Sequence, residues 1–159
     1  MNKITTLGRF VLLIVVILGF WAIGSEQAKA AEARVYLRNR LVPLYIQNIE
    51  FHYAREYGSR QTAIFFIKEQ RKYISFGFDR IRSMRILGIE GYRSGSPVFK
   101  LDLWLNEPAD GMVVRLIPLK MITGVNSGVP WRYRLNALSG YEDNARQIEK
   151  IEFIQPQKF

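Results

Sequence analysis

A chain of 159 residues, 48% apolar and 13% aromatic, has the length of one domain and enough core-forming material to exclude a disordered chain. The complete lack of cysteine excludes a disulfide scaffold, a thiolate metal site, a cysteine nucleophile and a lipidated N-terminal cysteine. A formal net charge of +9 points toward anionic partners and decides nothing about the fold.

Lys3 and Arg9 precede an uninterrupted apolar stretch of 14 residues, Phe10 to Ile23. A bilayer span takes about 20 such residues, so the stretch fits the apolar region of a secretory signal peptide. Ala28-Lys29-Ala30 supplies the small-residue A-x-A cleavage site. The order of these features predicts a signal peptide over 1–30 and a single exported domain over 31–159, periplasmic or secreted. The competing reading is an uncleaved anchor that recruits Thr5 to Leu7 and tilts; only that form would hold the chain to a membrane. Cleavage leaves 20 of the 23 basic residues and 13 of the 14 acidic ones, a net charge of +7. Fourteen of those 20 are arginine, whose fork engages carboxylate or phosphate in two-pronged fashion.

Beyond residue 31, β-branched and aromatic residues alternate with period two between polar turns, and no amphipathic helix stands out. The expected pairs follow in chain order. Arg34 to Arg38 turns at Asn39-Arg40 into LVPLYIQNIEF. Thr62 to Ile67 turns through KEQRK into Tyr73 to Ile86. FKLDLWL, residues 99–105, turns through NEPADG into Met112 to Met121. WRYRL, residues 131–135, turns through SGYED into Ala145 to Ile154. TAIFFI at 62 and MVVRLI at 112 are apolar on both faces, as interior strands are, and a face left uncovered would be an interface.

The longer runs share a closing phrase: IQNIEF at 46, IRSMRI at 81, LIPLKM at 116 and IEKIEF at 148, spaced by 35, 35 and 32 residues. That regularity suggests a duplicated hairpin unit. In a plain strand, residues three apart face opposite sides, so Ile46 and Ile49, or Ile148 and Ile151, reach one core only if a residue between them is absorbed in a bulge. The expected bulges fall at Gln47-Asn48 and Glu149-Lys150. Bends of this kind coil a sheet, so the predicted fold is all-β and antiparallel, about eight strands in four consecutive hairpins, forming a small bent barrel or two orthogonally packed sheets. A membrane-spanning barrel needs strands of about 9 to 11 alternating residues; Val35 to Leu37 and Trp131 to Leu135 are too short, and Pro156 interrupts the last run.

Catalytic signals are poor. His52 is the single histidine, in a position that suits a strand residue bonded to the backbone better than a general base. GYRSGSP at 91–97 lacks the spacing and following helix of a phosphate cradle, and Glu142-Asp143 falls in an expected turn. No metal and no cofactor is expected. The binding residues singled out are Arg80, Arg82 and Arg85 around the second closing phrase, Arg132 and Arg134 opposite Trp131 and Tyr133, and Trp104 on the polar face of FKLDLWL. For the arginines the competing role is solubilising salt bridges with Asp79, Glu149 or Glu152, and for Trp104 it is cover for the end of the barrel or a place under a loop.

The expected function is a non-enzymatic exported β-module that binds an envelope protein or an anionic polymer through a basic surface, with no specific nucleic acid as partner and a second copy of the chain as a further candidate. The alternatives are a small hydrolase of envelope polysaccharide, built from two carboxylates about 5 to 10 Å apart, and a subunit of an oligomeric envelope assembly. Mass spectrometry of the exported protein should give an N-terminus at Ala31; an intact chain beginning at Met1 in the membrane fraction would support the anchor instead.

Overall fold

The structure is a computed structural model that describes residues 30–56, 59–108 and 110–155; residues 1–29 of the predicted signal segment and Pro156 lie outside these. The chain is all-β and antiparallel. Its strands are β1 (Glu32–Leu37), β2 (Leu44–Tyr53), β3 (Thr62–Ile67), β4 (Lys72–Gly77), β5 (Ile81–Arg93), β6 (Ser96–Leu105), β7 (Gly111–Leu116), β8 (Leu119–Asn126), β9 (Val129–Arg134) and β10 (Ile148–Ile154). They form one open sheet in the order β4-β3-β7-β6-β5-β10-β1-β2-β8-β9, with β4 and β9 as its edges. Among the described residues, helical turns are confined to Phe78–Arg80, Ala137–Ser139 and the short helix α1 (Glu142–Gln147).

Ten strands therefore replace the expected eight, because two long runs are cut. Tyr73 to Ile86 breaks at the turn Phe78–Arg80, which sends Phe78 into the core at 2% exposure. Met112 to Met121 breaks at Ile117-Pro118, where proline has no N–H for a ladder. The fourth expected hairpin does not form. β9, which carries WRYR, pairs with β8 across the Ser127-Gly128 turn, and β10 lies between β1 and β5. Residues 142–147 are helical because Glu142 and Asp143 suit the positive first turn and Arg146 the last, while Ala145 alone is buried.

In place of a closed barrel or two orthogonal sheets, the one open sheet curls until its halves meet. β7 and β8 lie six places apart in the sheet order, yet only Ile117 and Pro118 join them. The Phe51 amide at the end of β2 donates to the Arg60 carbonyl at 2.8 Å, and the Tyr53 hydroxyl donates to the Thr62 carbonyl of β3 at 2.8 Å. Inside the curl lies one continuous apolar core, in which the Phe51, Phe78 and Phe153 rings form a mutual cluster, Phe78 lying 4.7 and 4.6 Å from the other two and those 6.4 Å from each other.

Bulges produce the curl. Opposite β8, the register of β2 slips between Gln47 and Glu50, and Asn48 takes φ 52°, so Ile46 and Ile49 are both fully buried. In β10 the register against β1 skips Glu149, and Ile148 and Ile151 both face inward. The balance favours these bends: burying one isoleucine side chain is worth about 1.5 to 3 kcal/mol, whereas a non-glycine residue in the left-handed region costs about 1 to 2 kcal/mol, with Asn among the best tolerated. Gly124 of β8 lies beside the first bend, where a Cβ would meet Ile46 and come within 2.7 Å of the Gln47 carbonyl oxygen. The register is most irregular along β5, whose 13 residues face the 10 of β6. The three surplus residues, Arg82, Leu87 and Glu90, are the ones its register skips.

Urea unfolding should show Asn48→Val destabilised by about 1 to 2 kcal/mol and Asn48→Gly close to the parent. Gly124→Ala should destabilise as well; a neutral effect of both Asn48→Val and Gly124→Ala would contradict the bend.

Candidate functional site

The outward face of the central strands follows from register. Met84 and Ile86 point inward, so Arg85 points out; Leu103 and Leu105 point inward, so Trp104 points out, opposite Ser83 on the neighbouring strand. Arg82 occupies the first bulge of β5 on this same stretch and is exposed. Arg80 lies just before β5, its guanidinium 5.1 Å from the centre of the Phe76 ring. Arg82, Arg85 and Trp104 are thus neighbours on this face, while Arg80, adjacent in sequence, turns its guanidinium toward β4.

Arg132 and Arg134 are elsewhere. They lie on the edge strand β9, five places from β5 in the sheet order, so the five arginines do not form one stripe. Alternation places them outward, opposite Trp131 and Tyr133, whose rings stack 5.5 Å apart. Arg134 also donates to the Tyr141 hydroxyl at 3.2 Å and lies over its ring.

The carboxylates named as salt-bridge partners do not engage these arginines. Glu152 is held by Lys150 at 3.1 Å and by the Tyr36 hydroxyl at 2.9 Å. Asp102, across from Arg85, accepts the Trp104 indole N–H at 2.9 Å. Among the described residues Arg82, Arg85 and Arg132 make no salt bridge. Trp104 is 40% exposed and lies across Gly111 of β7, where a Cβ would come within 2.8 Å of the indole. One indole face thus fills the gap left by the glycine and the other is open to solvent.

Further along the outer face, a cleft of about 350 Å³ lies between the end of β3, the start of β4 and the tip of the β5–β6 hairpin. Phe66 and Tyr73 form one wall, with ring centroids 5.1 Å apart. Arg115 rises from β7, its side chain only 13% exposed, and grips Glu90 through both Nε and Nη2, the latter at 3.0 Å. That guanidinium, hydrogen-bonded to Glu90, holds the carboxyl below its ordinary range. Lys68 and Arg93 complete the lining from the turns on either side. Sequence reading missed this cleft. The one local signal is Arg115 within MVVRLI, a lone cation on a strand apolar on both faces that has to find a partner. The GYRSGSP segment proves to be a hairpin turn, with Ser94 and Gly95 at φ 52° and 74°, which brings Tyr92 and Arg93 to the cleft.

His52 is a structural strand residue. Its Nε2 pairs with the Thr123 hydroxyl at 2.8 Å, a side-chain partner where a backbone carbonyl was expected. Burial, reinforced by Arg60, lowers its pKa below the ordinary 6.5. Comparison of the chain with known protein families, with curated proteins and with solved structures finds no match.

Because the folded state resists protonating His52 while the unfolded state accepts the proton near pH 6.5, stability is retained above that pH and lost progressively below it. His52→Gln should therefore lose less stability than the parent when urea midpoints are compared at about pH 7 and about pH 5; parallel losses would contradict the assignment.

Proposed function

We propose that this chain is an exported, non-catalytic β-module that binds an anionic polymer of the cell envelope. The observation that carries the reading is the pair of exposed guanidiniums, Arg82 and Arg85, which have no carboxylate partner among the described residues and share a face with the open indole of Trp104. Unpaired arginines are available for a ligand, since no internal salt bridge has to break. Attraction at long range brings the polymer to the face, two-pronged pairing to carboxylate or phosphate fixes it, and Trp104 offers a flat apolar contact for a ring. Arg80 lies at the end of this surface with its guanidinium turned toward β4, and Arg132 and Arg134 add a separate basic edge that a long polymer can also reach.

A second reading, a subunit of a homo-oligomeric envelope assembly, is favoured by the two open edges. β4 presents Lys72, Tyr73 and Ser75 to solvent and β9 presents Val129 at 64% exposure, so either edge can extend into a second copy.

Binding of the purified chain to polygalacturonate, followed by calorimetry, should weaken steeply between low and high sodium chloride. Arg82→Gln with Arg85→Gln should cost roughly tenfold in affinity. Affinity indifferent to both salt and the double substitution would overturn the polymer reading.

A further inference from the structure

We propose that the cleft beside Arg115 is a subsite for one acidic sugar ring of the hexuronate kind. Three independent features select that chemistry. The volume, about 350 Å³, lies near the lower end of small-molecule sites, in the range of roughly 300 to 1,000 Å³. The wall is aromatic. Phe66 is half-buried against the sheet, and Tyr73 stands 65% exposed on the edge strand, where an uncovered ring face suits the C–H face of a sugar. The polar groups then distinguish a charged, hydroxylated ring from a neutral or purely apolar one. Lys68 and Arg93 make no ion pair among the described residues and stand ready for a carboxylate. Glu90, fixed in ionised form by Arg115, accepts hydrogen bonds from ring hydroxyls.

The backbone supports this division of labour. Glu90 is the third bulged residue of β5, which aims its carboxylate at Arg115 two strands away rather than along the β6 ladder. Arg93 is brought in by the tight Ser94-Gly95 turn. The subsite is separate from Arg82 and Arg85, which lie at the opposite end of β5, so the two surfaces succeed or fail independently.

The test is titration of the purified chain with trigalacturonate, with maltotriose as the neutral control and inorganic phosphate as the simple anion, read by calorimetry and by amide chemical-shift changes. Saturable binding of trigalacturonate is expected, with shifts centred on 66–73, 90–93 and 115–117 and no response to maltotriose. Arg93→Gln and Tyr73→Ala, both at exposed positions, should each weaken binding at these shifts about tenfold, while Arg40→Gln, an exposed arginine of the β1–β2 loop, leaves it unchanged. The proposal is overturned if trigalacturonate does not bind, if both cleft variants bind like the parent, if phosphate binds as tightly with no dependence on Tyr73, or if the loss follows the Arg82 and Arg85 pair instead.

Discussion

The molecule depends on one backbone constraint: at the end of its longest runs the chain must turn both members of an odd-spaced apolar pair toward the same core. Ile46 with Ile49, and Ile148 with Ile151, are each within 2% of full burial. A straight ladder would expose one of each pair and lose about 1.5 to 3 kcal/mol per side chain. The bulges avoid that loss, and their twist lets the sheet curl around Phe51, Phe78 and Phe153 without closing. Gly124 follows from the same constraint, since the bent backbone of β2 passes where a side chain would stand.

The bends also connect the fold to the proposed binding surface. β5 carries three more residues than its partner β6, and those three are spent as bulges at Arg82, Leu87 and Glu90. Two of the three are charged and face outward at opposite ends of the strand. Arg82 joins Arg85 beside Trp104, and Glu90 locks Arg115 within the aromatic cleft. A regular strand of this length would alternate strictly and would not present both groups in these positions. The irregularity that shapes the core thus also sets the spacing of the charged groups on the surface.

The all-β, antiparallel character was legible because period-two runs between polar turns are a local signal, and the bends at Asn48 and Glu149 were legible because an odd apolar spacing can only be reconciled with burial in that way. What escaped was non-local. The one local cue that WRYRL pairs backward with β8 rather than forward with β10 is the Ser127-Gly128 turn just before it; the strand residues themselves do not decide, since Tyr133 and Ile151 are equally good strand formers. Strand number was misjudged because Pro118 lies inside an otherwise continuous apolar run. Arg82, Arg85 and Trp104 were found by alternation along single strands and do meet, whereas the grouping with Arg132 and Arg134 required knowledge of sheet order. The cleft was invisible for the same reason: its parts come from β3, β4, β5 and β7, which only the folded order brings together.

The most direct measurement is paramagnetic relaxation of isoleucine and leucine methyl groups by a soluble gadolinium chelate. The account predicts that the methyls of Ile46, Ile49, Ile148 and Ile151 are all protected, with Leu41, fully exposed in the β1–β2 loop, relaxing fast as the internal reference. Fast relaxation of one member of either pair would mean a straight strand at that point, and the curled sheet with its outward charges would have to be abandoned.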